Sequence, residues 1–198
     1  MRKMFLHYYE QKLASWILFI PVAASFFGLP LLFEGAESAA YFILSISITA
    51  LCATYLDMRE SELVMTSLFP VSKKTYFIVD LSFLGRYTLY YNLYTLAATT
   101  VIQTLLERQL VLPSVKQLVL SFGVSFSIIT IFLLIRRVKF GYFVNLSIVF
   151  IPVAFTQFLS LFETLATFQS IIVFFVLLFL LIIAACITYF REYRRDVL

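Results

Sequence analysis

Uncharged hydrogen-bonding side chains recur every three or four residues along one predicted helix. They are Thr88, Asn92, Thr95, Thr99 and Gln103. At 3.6 residues per turn these positions share one face, and polar groups inside an apolar helix rarely face lipid. The stripe predicts a surface that a translocated molecule contacts, although hydrogen bonding between helices explains the same spacing. Two residues of a later span extend the candidate surface: Asn145 and Thr156.

Catalytic chemistry has few candidates in this sequence. The single histidine, His7, lies near residue 1, and both cysteines, Cys52 and Cys186, fall inside apolar segments. These residues indicate neither a metal site nor a disulfide framework. The phosphate-binding pattern G-x-x-x-x-G-K-[ST] is missing, so the chain is not expected to bind ATP by a P-loop. We predict that it is not an enzyme, holds no cofactor and binds no nucleic acid.

The elements that carry these residues are predicted to be membrane helices. The chain is 62% hydrophobic and 13% charged, with 23 Phe and 12 Tyr, a composition far from that of soluble domains. Each apolar segment approaches the roughly 20 residues that cross ~30 Å of hydrocarbon. We predict an all-α integral membrane protein with one domain, residues 1–198, and six spans. The spans are about 15–33, 39–56, 87–106, 114–135, 141–162 and 169–190.

Basic residues predict the orientation of the spans. Of the 15 Lys and Arg residues, only Arg108 and Lys116 fall in connections on one side. The remainder lie in the segments before the first span, after the second, after the fourth and after the sixth. Because Lys and Arg favour the cytoplasmic side, both ends of the chain are predicted to be cytoplasmic, and lipid is an expected partner.

The first segment carries two features that affect helix geometry. Residues 1–14 place Met4, Tyr8 and other apolar side chains at helical spacing, with polar side chains opposite. This pattern predicts an amphipathic helix lying in the cytoplasmic interface. In the first span, Pro21 is expected to kink the helix and to leave a carbonyl that a hydroxyl, a neighbouring helix or water must satisfy.

The only long polar interruption, residues 57–76, predicts an elbow between the second and third spans. Asp57 is placed to cap a short amphipathic helix, with Glu60 completing a capping box. That helix must end before Pro70, and Ser72 is placed to cap the next helix. The elbow residues expected to contact a partner are Asp57, Glu60, Glu62, Leu63, Leu68, Pro70, Ser72, Lys73 and Lys74.

The third span is predicted to continue a long helix. Helical periodicity persists over residues 73–106, which at 1.5 Å per residue is roughly 50 Å and exceeds the hydrocarbon thickness. The part with Asp80 and Arg86 is therefore expected to project below the bilayer core. No acidic residue is then expected in mid-membrane, where proton-coupled transport usually needs a carboxylate. The sixth span has no polar side chain between Ile171 and Cys186 and is expected to face lipid.

One segment of the elbow resembles a motif of a known family. The segment consists of Ser67, Leu68, Phe69, Pro70, Val71, Ser72, Lys73 and Lys74. It resembles the "slPvsrk" phrase that follows the second transmembrane helix of ABC-2-type ABC transporter permeases, with Phe69 inserted between the leucine and the proline. Residues 189–197, YFREYRRDV, are similar to the basic tail of many such permeases.

The resemblance implies a membrane-spanning permease subunit of an ATP-driven exporter. It also implies that this exporter lies in the cytoplasmic membrane of a bacterium. A separate ATPase subunit would hold ATP and Mg and grip the elbow. A second permease chain, identical or homologous, would complete the pathway. Family resemblance also implies an amphipathic or hydrophobic cargo such as a peptide, bacteriocin or toxin, and short re-entrant helices within residues 152–169.

Two alternatives from other classes stay open. One is a membrane protein that binds a partner, for instance in immunity, without transporting anything. The other is a secondary transporter whose coupling ion binds backbone carbonyls.

Overall fold

Five helices form the described part of the chain. In this computed structural model the described residues are 2–28, 36–66, 72–108, 112–135 and 166–193. The helices are α1 (Arg2–Gly28), α2 (Ala36–Thr66), α3 (Lys73–Glu107), α4 (Val115–Ile135) and α5 (Thr167–Tyr193). Within those five ranges no residue is in a β-strand. The predicted all-helical class is therefore confirmed for these residues.

Three of these helices are long and apolar enough to cross a membrane. The qualifying segments are Leu6–Gly28, Val115–Leu134 and Thr167–Arg191, and a shorter apolar segment covers Ala39–Tyr55 in α2. Length and composition thus indicate a membrane protein. The count of six spans and the cytoplasmic ends stay predictions, and the predicted fifth span, residues 141–162, lies outside the described residues.

The first helix differs from its prediction. A separate interfacial helix over residues 1–14 is wrong, because α1 runs without a break from Arg2 to Gly28 and its apolar segment begins at Leu6. Its buried side chains form one continuous stripe: Tyr9, Leu13, Ile17, Ile20 and Ala24. The stripe repeats every three or four residues through the expected boundary, so one face packs on the bundle along the whole helix.

Pro21 lies inside α1 without ending it. Because proline has no N–H, the carbonyl of Ile17 lacks its usual donor four residues on. The hydroxyl of Tyr91, on α3, donates to that Ile17 oxygen at 3.1 Å. A neighbouring helix therefore satisfies the freed carbonyl, as expected from the sequence, and this bond joins α1 to α3.

Tyr91→Phe is expected to lower the free energy of unfolding by about 1–3 kcal/mol, because the buried Ile17 carbonyl loses its donor. In the Pro21→Ala background an amide hydrogen is present at position 21, so the same Tyr91→Phe change should cost less than about 0.5 kcal/mol. Unfolding of the purified chain in mixed detergent micelles measures both values. Equal costs in the two backgrounds would contradict this account of the Pro21 site.

The second helix also differs from its prediction. A separate elbow helix capped by Asp57 is wrong, because α2 is one helix from Ala36 to Thr66 and Asp57 lies in its interior. No glycine or proline occurs between residues 36 and 66, so nothing local stops the helix at the edge of its apolar segment. Residues 56–66 therefore extend α2 by roughly 16 Å at 1.5 Å per residue.

The third helix agrees with its prediction. It spans Lys73–Glu107, and Ser72 caps it, with the side-chain oxygen accepting from the amide of Thr75 at 3.3 Å. Its 35 residues are roughly 52 Å long at 1.5 Å per residue. Arg108 ends it in the left-handed conformation, with φ of 54°.

The core lies between α1, α2, α3 and α4. Its largest fully buried side chains include Tyr9, Tyr41, Tyr55, Phe83 and Tyr91. At the far end of α1, Gly28 lies so close to Ile43 of α2 that a Cβ would collide with the isoleucine side chain. The fifth helix packs mainly against α4 and leaves most of its apolar surface exposed, as expected for a helix facing lipid.

Candidate functional site

The polar stripe on α3 is buried inside the bundle. Thr88, Asn92, Thr95 and Thr99 are each at most 3% exposed, and Gln103 is partly buried. The structure therefore brings these five predicted residues onto one inward face of α3. The two remaining candidates, Asn145 and Thr156, lie outside the described residues.

The stripe faces a second polar row on α4. Asn92 Nδ2 donates to Ser125 Oγ at 2.8 Å and to its own helix at the Thr88 carbonyl, also at 2.8 Å. Ser125, Ser121 and Gln117 recur every four residues on α4 and are each at most 4% exposed. We call this α3–α4 interface, residues 88–99 and 117–125, the polar seam.

Most hydroxyl groups elsewhere in the bundle bond to their own helix. Ser45, Ser47 and Thr130, for example, donate to the carbonyl four residues earlier at 2.7 Å. In the seam, Ser125 does the same at 2.8 Å and Thr99 at 2.8 Å. These back-bonds satisfy a hydroxyl without any neighbouring helix.

Three oxygen atoms of the seam depart from that rule. Within the described ranges, Thr88 Oγ1, Thr95 Oγ1 and Asn92 Oδ1 are buried without a hydrogen-bond partner. On α2, Thr49 Oγ1 has the same property. A buried polar group left unpaired costs about 1–3 kcal/mol, so three on one short face of a helix is a concentrated cost. The described residues supply no partner for these three oxygens, so this concentration needs an explanation.

Removing the acceptor for Asn92 should destabilise the bundle modestly. We expect Ser125→Ala to lower the free energy of unfolding by about 1 kcal/mol, the scale of hydrogen bonds between membrane helices. Ser127→Ala is the matched control, because Ser127 bonds only within α4, to the Gly123 carbonyl at 3.0 Å, and should cost less than about 0.5 kcal/mol. Detergent unfolding of the two variants compares them, and equal losses would show that the Asn92–Ser125 bond contributes nothing measurable.

The predicted elbow residues are only partly described. Asp57, Glu60, Glu62 and Leu63 lie in the last turns of α2, where the backbone is described and their side chains are not. Leu68 and Pro70 lie outside the described residues. On the far side of the turn, Ser72 caps α3, Lys73 is its first residue and Lys74 is exposed.

A buried cluster joins the three helices that meet beside the elbow. The Tyr55 hydroxyl of α2 donates to Asp80 Oδ1 of α3, and Asp80 is only 1% exposed. The ring of Tyr55 stacks on Phe83 with centroids 4.7 Å apart and meets Tyr9 of α1 edge-on at 5.7 Å. We call Tyr9, Tyr55, Asp80 and Phe83 the aromatic base.

Sequence reasoning missed this base. The sequence predicts that Asp80 lies below the bilayer core, which stays a prediction, but it does not predict that the side chain is buried against Tyr55. Its position in the inward register of α3, three residues before Phe83 and four after Tyr76, was the available signal. Nearby, Arg86 of α3 pairs with Glu10 of α1, and the arginine side chain is 58% exposed. These contacts fix α1, α2 and α3 to one another below the elbow turn.

Comparison with protein-family models, with curated proteins and with solved structures gave no match to the chain.

Proposed function

We propose that this chain is the membrane-spanning permease subunit of an ATP-driven ABC exporter of the ABC-2 type. A separate ATPase subunit, holding ATP and Mg, would power it from the cytoplasmic side of a cell membrane. A second permease chain, identical or homologous, would face it across the pathway. The cargo would be an amphipathic or hydrophobic molecule such as a peptide, bacteriocin or toxin.

One observation carries the proposal: α2 and α3 are both longer than the roughly 20 residues of a membrane crossing, and they are joined where the apolar segment of α2 ends. Residues 56–66 of α2 continue as helix beyond the apolar segment Ala39–Tyr55. Residues 73–86 begin α3, and Asp80 among them bonds to Tyr55, the last residue of that apolar segment. We call residues 56–66 of α2 and 73–86 of α3 the arm. A stiff two-helix arm can transmit the movement of a partner into the bundle, which a flexible loop cannot.

The contacts at the root of the arm support this role. The aromatic base joins the arm to α1, and the Glu10–Arg86 pair adds a second link between α1 and α3. A displacement of the arm would therefore move α1, α2 and α3 together. The buried stripe on α3 lies farther along the same rigid helix, so the movement would reach the polar seam.

Co-purification tests the proposal directly. The full chain carries an affinity tag, is extracted from its native membrane in mild detergent and is analysed for bound proteins and ATP hydrolysis. We expect an ATPase subunit to be retained at a fixed ratio to the tagged chain, with vanadate-sensitive hydrolysis. A pure chain without ATPase, in membranes where transport continues after ATP depletion, would contradict the proposal.

A second candidate, an ion-coupled secondary transporter, is favoured by Asp80. A carboxylate that is 1% exposed inside a helical bundle is the kind of group that binds a coupling proton. The two candidates differ in what drives transport in sealed vesicles. A proton gradient without ATP would drive transport by the second candidate, and Asp80→Asn would abolish it; the ABC exporter would require ATP under every gradient. The third class, a partner-binding protein without transport, would move no cargo in either condition.

A further inference from the structure

The described helices divide into two groups, α1 to α3 and α4 with α5, although α4 also packs on α2 in the shared core. In the first group, Tyr91 bonds to the Ile17 carbonyl, Ser25 meets the Tyr94 hydroxyl at 3.3 Å, and Tyr55 bonds to Asp80. These bonds join α1, α2 and α3. The first group is therefore held by polar contacts distributed from the aromatic base to the last turn of α1.

The second group consists of α4 and α5. The Thr188 hydroxyl of α5 donates to the Leu133 carbonyl of α4 at 3.2 Å. Phe126 and Phe174 pack with ring centroids 5.6 Å apart, and a Cβ on Gly123 would lie 3.2 Å from Leu177. The fourth helix packs far more extensively against α5 than against α3. Close packing and a helix-to-helix hydrogen bond make α4 and α5 a unit.

The polar seam is the boundary between the two groups at α3 and α4. Here the side-chain amide of Asn92 donates to the Thr88 carbonyl and to the Ser125 hydroxyl. Its oxygen has no hydrogen-bond partner among the described residues. The hydroxyls of Thr88 and Thr95, about one helical turn before and after Asn92, likewise have no hydrogen-bond partner among the described residues. This row offers one acceptor and two hydroxyls that both donate and accept. None of the five stripe residues is charged.

We propose that the polar seam is a binding site for the uncharged amide and hydroxyl groups of an amphipathic molecule. The site opens when α4 and α5 move as one unit away from α1, α2 and α3. The identity of this ligand as cargo rests on the proposed function; the opening itself does not. In the closed seam the three oxygens are buried and unpaired, which disfavours closure, so a hydrogen-bonding ligand or water that enters is stabilised there.

Cysteine labelling of the full chain in liposomes tests the opening. In a Cys52→Ala, Cys186→Ala background, Thr95→Cys and Ser121→Cys place thiols in the seam. Ser47→Cys and Ala184→Cys are matched controls, because both positions are at most 2% exposed but belong to α2 and α5, outside the seam. A hydrophilic methanethiosulfonate reagent should label the seam thiols at least about tenfold faster than the controls, as expected for a local opening. Equal rates would overturn the proposal.

A cross-link identifies the direction of opening. Asn92→Cys combined with Ser125→Cys allows a disulfide across the seam where the two native side chains touch. Oxidation should bring labelling of Thr95→Cys down to the control rate, and reduction should restore it. A Gly123→Cys, Leu177→Cys pair, at positions where the Leu177 side chain of α5 reaches Gly123 of α4, should leave the Thr95→Cys rate unchanged. If the disulfide between α4 and α5 also slowed labelling of Thr95→Cys, the proposal that those two helices move as a unit would be contradicted.

A peptide probe tests the chemistry of the ligand. An acetylated and amidated leucine–serine peptide should slow labelling of Ser121→Cys by about fivefold or more. A leucine–lysine peptide should not slow it, because removing an ammonium group from water into an uncharged buried site is unfavourable. Failure of the uncharged peptide, or equal protection by both, would overturn the assigned ligand class. No step needs an ATPase, so labelling of the seam in the chain alone would support the opening even if co-purification found no ATPase subunit and the proposed function failed.

Discussion

Tyr55→Ala is expected to lower the free energy of unfolding by about 3–5 kcal/mol, the usual loss when a large buried ring is truncated. Tyr55 is 2% exposed, stacks on Phe83, meets Tyr9 edge-on and donates to Asp80. The substitution opens a cavity between three helices and takes a donor from a buried carboxylate. Unfolding in mixed micelles, followed by tyrosine fluorescence or circular dichroism, measures the loss.

Two companion variants separate the ring from the hydroxyl. Tyr55→Phe keeps the ring and removes the hydrogen bond to Asp80. We expect it to lower the free energy of unfolding by about 1.5–3 kcal/mol, the range for a hydrogen bond to a charged group. Tyr8→Ala is the matched control, because Tyr8 lies one residue from Tyr9 and is 44% exposed, and a change of about 0.5 kcal/mol is expected. If Tyr55→Ala costs no more than Tyr8→Ala, the aromatic base does not hold the three helices together.

Replacing residues 57–72 by a flexible glycine–serine segment of equal length is expected to abolish ATP-driven transport. The replacement removes the last turns of α2 and the Ser72 cap of α3 while leaving the apolar segment Ala39–Tyr55 and the aromatic base in place. Without these residues the ATPase would neither bind the chain in its productive position nor move the bundle. Transport and vanadate-sensitive ATP hydrolysis, measured in the same membranes, should both fall by at least about tenfold.

The same replacement at the opposite end of α3 supplies the control. Residues 109–113 connect α3 to α4, and an equally flexible segment there should leave hydrolysis close to its original rate. Charge reversal at two arm positions, Glu60→Lys with Glu62→Lys, is expected to weaken ATPase binding without unfolding the chain. Unchanged assembly and hydrolysis after replacement of residues 57–72 would show that the arm is not the coupling element.

Local patterns in the sequence predict the long helices and one cap correctly. Periodicity over residues 73–106 gives α3, which spans Lys73–Glu107, and a serine before a helical run gives the Ser72 cap. A proline within an apolar helix implies a carbonyl that needs another donor, which Tyr91 supplies to Ile17. The helix, the cap and the need for a donor at Ile17 depend on residues within about one helical turn, so a single sequence contains that information; the choice of Tyr91 as donor does not follow from it.

Boundaries and long-range contacts are the parts that the sequence does not reveal. Asp57 and Glu60 resemble a capping box, but the same residues are tolerated inside a helix that packing already stabilises, so α2 continues to Thr66. The Tyr55–Asp80 bond joins residues 25 positions apart and depends on how α2 and α3 align. Likewise, the stripe on α3 is visible in the sequence, whereas its contact with Ser125 requires the position of α4.

The central claim is that the arm lies in the cytoplasm, where an ATPase can reach it. Labelling with a membrane-impermeant maleimide in the Cys52→Ala, Cys186→Ala background measures this directly. Lys74→Cys places a thiol at an exposed position of the arm, and Leu112→Cys places one at the opposite end of α3, where Leu112 is 72% exposed. Intact cells should label Leu112→Cys alone, and permeabilised cells should label both. Labelling of Lys74→Cys in intact cells, or its protection after permeabilisation, would contradict the account.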